Sequence, residues 1–347
     1  MAKQEGGLRQ GAPMSGFLFI AMLTVIMHDA EEDWKKHTVE NDYIARDTVK
    51  DILGRDFALY ADDTNLVTGC IRTMRAMLHA IQREGALYGL FLNISKTFLI
   101  RAGQARQIAP KLLDYFRKTP IPQVNFERTL GFDIGPLVMP RDILRKRGSA
   151  MLSAMEQYKV VWQSDLPQKT KLERYDSLVV SKGTWGLHVL SALPTDFAYL
   201  EYIHVRCLRR ILGIPAVYIS RVSNATVRNR AATVMTDKSA IPEPLQCRVR
   251  RNQMKLLGHI LRRPYNHPDR LCIFEPNDDM EPRKAPDTVR RRGRPRTAWT
   301  ETIVPTIERL LNRTRNQIHQ LAQNRQNWYE ETERLCRLLR RELQLDN

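Results

Sequence analysis

Two aspartates, Asp62 and Asp63, directly follow the short apolar run Phe57-Ala58-Leu59-Tyr60. Side chains on a strand alternate faces, so only a tight turn brings two adjacent carboxylates to one point. The local pattern predicts such a turn: residues 55–60 read as a strand, Ala61-Asp62-Asp63 as a turn and residues 64–68 as the return strand. Two like charges held so close repel unless a cation compensates. Mg²⁺ supplies that charge, and it prefers a few carboxylates together with substrate phosphates. In two-metal phosphoryl transfer the ions sit roughly 3.5–4 Å apart and clamp the attacking and leaving oxygens. An ordinary Asp-Asp turn between two strands is the other reading of the same residues.

The neighbouring elements make a small α/β unit. Residues 1–13 read as a loop rich in Gly and Gln, after which Ser15 can cap a helix over 16–36. The apolar stretch at 17–27 is too short to span a bilayer and reads as a buried helix. Residues 71–88 carry Met74, Met77, Leu78, Ile81 and Leu87 at helical spacing, and Gly89 ends that helix. An extended segment is expected over 91–100 and a strand over 129–134.

The pair is embedded in an ordered series of motifs. Upstream stands Gly7-Leu8-Arg9-Gln10-Gly11-Ala12-Pro13-Met14-Ser15, running into Leu18-Phe19. Downstream stand Gly89-Leu90-Phe91-Leu92-Asn93-Ile94-Ser95-Lys96-Thr97 and then Leu130-Gly131. In this order and spacing the chain resembles the reverse transcriptases of non-LTR retrotransposons (LINE elements) and, less closely, those of group II introns. The motifs cover residues 4–135, with weaker similarity beyond.

The resemblance implies an RNA-directed DNA polymerase that performs two-metal nucleotidyl transfer with Mg²⁺. Asp62 would be the metal-binding carboxylate, Asp63 its less intimate neighbour, and Tyr60 would pack near the primer end. Arg9, Gln10 and Gly11 would line the nucleotide and template side, Gly11 allowing close backbone approach. Lys96 would assist the departing pyrophosphate; a solvated lysine after a strand is the plainer alternative. The implied partners are an RNA template, a DNA primer or target DNA, and dNTPs. Two features depart from the family pattern. Gly16 follows Ser15 where the family usually has proline, and no aspartate precedes Gly6 to serve as the third metal ligand. A truncated polymerase without fingers, inactive in isolation, is therefore expected.

Beyond Pro140 strand signals fade and long helical periods take over, at 141–162, 168–190, 196–212, 240–263 and, with a break, 298–345. The expected class is α+β: a partial polymerase palm over 1–135, a helical thumb-like region over 136–235, and a basic helical region over 236–347 with a Pro- and Arg-rich linker at 264–296. Arg145, Lys146 and Arg147, after Arg141, fit a basic helix start beside a duplex, or else a solvated helix face. Arg206, Arg209 and Arg210 invite the same two readings. Arg291, Arg292, Arg294 and Arg296 surround Gly293 and Pro295, an extended strip suited to phosphate contact or, like an AT-hook, to a narrow minor groove. The segments around Gly258-His259 and Gly293-Arg294-Pro295-Arg296-Thr297-Ala298-Trp299 resemble a pair found after the thumb in many LINE polyproteins.

Composition agrees with a polyanionic partner. The chain has 347 residues, 55 Lys plus Arg against 38 acids, and a formal net charge of +17. Five scattered cysteines, Cys70, Cys207, Cys247, Cys272 and Cys336, argue for a reducing compartment rather than a disulfide framework. The irregular gaps among Cys247, His259, His267 and Cys272 argue against zinc. No signal peptide or membrane anchor is evident, so an intracellular ribonucleoprotein, nuclear or cytoplasmic, is expected rather than a secreted protein. Two other functions remain open at this stage: a nucleic-acid-binding remnant without catalysis, and a group II intron-type reverse transcriptase and maturase.

Overall fold

The computed structural model describes residues 14–37, 57–68, 71–100, 115–116, 119–135, 138–235, 243–276, 278–283 and 298–345. They are mostly helical with four two-stranded sheets, an α+β mixture. The chain divides into two compact units, 1–137 with 285–290, and 138–284 with 291–347. The expected division at 235/236 falls inside the second unit.

In the first unit helix α1 (Ser15–His37) buries Ile26, Met27, Ala30 and Trp34 along one face. The helix begins at Ser15 itself, with the Met14 carbonyl accepting from the Leu18 amide at 3.0 Å, so Ser15 stands one position later than expected of the cap. Helix α2 (Ile71–Leu87) packs Met77, Ala80 and Ile81 against α1, and Arg83 reaches Asp33 across the pair at 2.6 Å. Gly89, at φ 73°, closes α2: the Gly89 amide bonds to Ala86 O and the Leu90 amide to Gly85 O, a Schellman end that needs the left-handed residue.

Strands β1 (Phe57–Tyr60) and β2 (Asp63–Leu66) form the antiparallel hairpin read from sequence, with Tyr60 opposite Asp63 and Phe57 opposite Leu66. Phe57 meets Trp34 edge-to-face at 5.9 Å, which anchors the hairpin to α1. The segment at 91–100 is not extended throughout: a 3₁₀ turn, Ile94–Lys96, precedes a two-residue strand β3 (Leu99–Ile100). Strands β4 (Tyr115–Phe116) and β5 (Thr119–Pro120) pair antiparallel, and β6 (Gln123–Val124) pairs parallel with β3. The strand expected over 129–134 is a hairpin of β7 (Glu127–Thr129) and β8 (Phe132–Ile134). Its turn, Leu130-Gly131, has φ of 53° and 75°, as a two-residue turn with both residues left-handed requires.

The second unit is a helical assembly. Helix α3 (Pro140–Gln157) starts with proline at its first position and ends at Tyr158, which separates it from α4 (Lys159–Gln163). The period read over 168–190 becomes α5 (Gln168–Tyr175), a π turn (Asp176–Val180), α6 (Ser181–Thr184) and a reversal at Gly186. Then follow α7 (Ala198–Leu212), α8 (Val217–Ser220), α9 (Asn224–Val234), α10 (Leu245–Leu261) and α11 (Pro268–Leu271). Helices α12 (Trp299–Leu311), α13 (Arg315–Gln323) and α14 (Arg325–Leu345) pack with α10 around Met254, Leu257, Ile307, Ile318 and Trp328.

The described part of the expected 264–296 linker is built into this core. Phe274 and Met280 are fully buried, and Arg270, 1% exposed, donates to Leu261 O, Asp278 O and Asp279 O. A Pro- and charge-rich composition suggested a solvated loop, but one arginine that satisfies three carbonyls turns it into packed structure.

Candidate functional site

The β1–β2 register fixes the carboxylate pair. Phe57, Leu59 and Leu66 face the core, with Thr64 exposed opposite Leu59; Ala58 and Tyr60 face outward with Asn65 and Asp63. Asp63 therefore shares the outer face with Tyr60, which is 62% exposed. Asp62 occupies the two-residue turn behind Ala61, whose φ of 52° lies in the left-handed region. An alanine there costs about 1–2 kcal/mol relative to its preferred conformations, a strain that a glycine would avoid. Both aspartates are exposed, and neither carboxylate makes a hydrogen bond or ion pair among the described residues. Among those residues no three His, Cys, Asp or Glu side chains gather to hold a metal ion.

Lys96 ends the 3₁₀ turn that follows Asn93 and is exposed. The turn is fastened locally: Thr97 Oγ1 donates to Asn93 O at 2.9 Å, Ser95 Oγ to Asn93 Oδ1 at 2.6 Å, and Gln82 Oε1 accepts from the Leu92 amide at 3.0 Å. Leu66 of β2 joins Leu92, Ile94 and Leu99 around buried Leu78 and Ile121. The hairpin and the turn are thus held in one small core, though no hydrogen bond or ion pair joins Lys96 to Asp62 or Asp63. Arg9, Gln10 and Gly11 lie outside the described residues.

The basic residues of the second unit separate into two kinds. Arg145 and Lys146 are exposed on α3 and Arg147 is half-buried there. On α7 the expectation fails for Arg209. It is 6% exposed, and its guanidinium donates to Pro215 O at 3.0 Å, Val222 O at 2.6 Å and Asn224 Oδ1 at 3.2 Å. Those bonds close the 213–224 connection, so Arg209 is a structural staple rather than a phosphate contact. Arg210 is paired with Glu156 of α3, whose carboxyl that hydrogen bond and charge hold below the ordinary carboxylate range. Arg206 is exposed, with no hydrogen bond or ion pair among the described residues. Arg291, Arg292, Arg294 and Arg296 lie outside those residues.

The four side chains considered for zinc are placed separately. Cys247 is buried where α10 meets Cys336 of α14, and its thiol is pushed up by burial. Cys272 is exposed, His259 bonds to Arg263 at 3.0 Å, and His267 accepts from the Asp269 amide at 3.2 Å.

Sequence reasoning missed the exposed tyrosines of α7. Tyr199, Tyr202, Arg206 and Arg210 recur at helical spacing and form one exposed edge, a signal present in the sequence. Arg206 and Arg210 of this edge also line a pocket of about 270 Å³, together with Leu152, Met155, Glu156 and Cys207. No protein-family model matches the chain, and no curated protein and no solved structure matches it.

Proposed function

We propose that this chain carries the catalytic hairpin of the palm, followed by the thumb, of an RNA-directed DNA polymerase of the non-LTR retrotransposon type. The observation that carries the reading is the hairpin itself: Asp62 in its two-residue turn and Asp63 at the start of β2 are adjacent, with both carboxylates exposed and unpaired among the described residues and Tyr60 opposite Asp63. Support also comes from the order of motifs around it, from the Arg9 segment to Lys96 and the Leu130-Gly131 turn.

Two exposed carboxylates fit part of an Mg²⁺ site, since that ion commonly takes one or two carboxylates and completes its shell with water and substrate phosphate. When bound, Mg²⁺ supplies positive charge for the phosphate oxygens. Asp62 and Asp63 would hold it, and Lys96, exposed on the adjoining turn, would neutralise a departing pyrophosphate. With this pair as the only carboxylates gathered there among the described residues, Mg²⁺ would bind weakly and depend on phosphates brought by the substrate.

The test replaces Mg²⁺ with Fe²⁺ and ascorbate in the presence of an RNA template, a DNA primer and dNTP. Radicals generated at the ion should cut the chain at the hairpin tip, and excess Mg²⁺ should suppress the cuts. Asp62→Asn and Asp63→Asn should abolish them. Random or absent cleavage, with the template–primer demonstrably bound, would leave the second reading, a nucleic-acid-binding protein without catalysis. That reading is favoured by the net charge of +17. Primer extension by the chain alone is expected to be negligible, and robust extension abolished by Asp62→Ala would show that a further ligand completes the site.

A further inference from the structure

We infer that the groove between α3 and α7 binds single-stranded nucleic acid, seating one unstacked base in its pocket and running the strand along the exposed edge of α7. The two helices run side by side in the same direction: Tyr199 and Ile203, in the first half of α7, lie over Gly148 midway along α3, and Arg210 meets Glu156 near the ends of both. Gly148 is what allows the close approach, because a Cβ there would come within 2.7 Å of the Tyr199 ring.

The pocket's size and lining select the occupant. At about 270 Å³ it falls just below the roughly 300–1,000 Å³ of small-molecule sites, enough for one ring system rather than a whole cofactor. Leu152, Met155 and Cys207 give it apolar walls, and charge sits at Glu156, Arg206 and Arg210. A bare phosphate is disfavoured inside, since the Glu156 carboxylate is present and Arg210 is already paired with it. A neutral, planar heterocycle with N–H donors is favoured: apolar walls accept its faces and the carboxylate accepts its hydrogen. The charge that a nucleotide brings belongs outside, where Arg206 is exposed and unpaired among the described residues.

The edge beyond the pocket continues the same chemistry. Tyr199 and Tyr202, 38% and 59% exposed, stand on the same side of α7 as Arg206. Tyrosines beside arginines form a platform for unstacked bases, which a closed duplex cannot use because its base faces are already stacked. Tyr199 also packs over Gly148, whereas Tyr202, 59% exposed, leaves most of its surface open to a base.

Fluorescence anisotropy with the full chain and short labelled oligonucleotides tests this, using single-stranded RNA, single-stranded DNA and a blunt duplex. Tyr202→Ala should weaken single-strand binding by roughly fivefold to a hundredfold. It should leave duplex binding and the salt dependence unchanged, since stacking releases no counterions. Arg206→Gln should shallow the salt slope by about one. Leu152→Phe, which fills the pocket, should weaken single-strand binding alone; should it disturb folding, Tyr202→Ala decides, because that side chain is mostly in solvent. Unchanged single-strand affinity in Tyr202→Ala, or an equal loss on duplex, overturns the proposal. Equal affinity of RNA and DNA places recognition on the base and phosphate; an RNA preference adds the 2′-hydroxyl. These binding measurements use neither Mg²⁺ nor dNTP, so their outcome is separable from that of the carboxylate hairpin.

Discussion

Arg206 and Arg209 stand three positions apart on α7, yet one is in solvent and the other in the core. A run of basic residues on a helix is thus not one surface; each residue takes the face that the helical phase gives it. The same helix carries His204 inward, where the Tyr175 hydroxyl lies 2.7 Å from its Nδ1. Burial, with the charges of Arg228 and Arg248 added, pulls the imidazole down from its ordinary value to about 3. The folded state therefore refuses a proton that the unfolded chain takes up below about pH 6.5. Stability is complete above that pH and should fall by as much as about 1.4 kcal/mol per pH unit on the way down toward pH 3. Burial also lowers His188 and His319, so the contribution of His204 is isolated by comparison. Urea unfolding midpoints of the parent and His204→Gln between pH 7 and 5 should diverge in slope, the variant being the flatter. Parallel slopes would remove His204 from the account. At this scale the carboxylate pair was legible because a turn after an apolar strand leaves few places for two acids. The fate of Arg209 was not legible, because the carbonyls that claim it come from residues 215 and 222.

Elements are held in register by a few close approaches. Helix α10 meets α14 at Gly258, where a Cβ would come within 2.2 Å of Trp328 Nε1, and that indole donates to Met254 O at 2.8 Å. Gly258→Ala gains about 1 kcal/mol of helix propensity but forces Trp328 out of place, an overpacking cost of about 1–3 kcal/mol and the loss of a buried hydrogen bond. The net effect should be a lower unfolding midpoint and a shifted tryptophan emission; an unchanged midpoint would mean the helices part freely. The same pair is tied electrostatically. Burial raises the Glu243 carboxyl, but Arg251 of α10 and Arg340 of α14 outweigh it and hold the group below its ordinary range. Its stabilisation is present above the unfolded carboxylate pKa and disappears as pH falls through the lower folded value. Glu243→Ala leaves two arginines without their shared partner and should cost about 3–5 kcal/mol in equilibrium unfolding. A loss under 1 kcal/mol would show the arginines re-pairing, for instance with Glu333, already 2.9 Å from Arg251. These ties explain the Gly258-His259 and Trp299 segments better than their composition does. Gly258 makes room for an indole, Arg262 donates to Ala322 O at 2.7 Å, and Trp299 Nε1 donates to His188 O at 2.8 Å. Helical period revealed the long helices. It could not reveal α8, α9 or the packed 264–283 segment, whose order comes from buried arginines and distant carbonyls rather than from local pattern.

Across the whole molecule the excess of 55 basic over 38 acidic residues sets an electrostatic field that local pairing only partly absorbs. Arg251 and Arg340 are paired within the second unit and Arg270 is closed around carbonyls, so they contribute little to a phosphate. Arg145 and Arg206 lie on its surface. Among the described residues no helix is long and apolar enough to cross a membrane, and nucleic acid is the polyanion that both proposals invoke. Affinity built on phosphate contacts falls with salt as counterions are released, and about six contacts on duplex give a log–log slope near −5. Arg145→Ala should shallow that slope by about one without altering the unfolding midpoint, because an exposed side chain is lost. Arg209→Ala should do the reverse: a lower midpoint, as three bonds closing the 213–224 connection disappear, with the slope of the remaining folded protein unchanged. Replacing Arg291, Arg292, Arg294 and Arg296 together should shallow the slope by several units if the strip lies along the backbone. If the strip instead enters a narrow minor groove, the same replacement should also erase a preference for A·T over G·C duplex. Binding measured on both duplexes at several salt concentrations, with unfolding midpoints on the same preparations, separates these outcomes. A salt slope near zero in the parent chain would mean that its positive charge serves solubility and that neither nucleic-acid proposal survives.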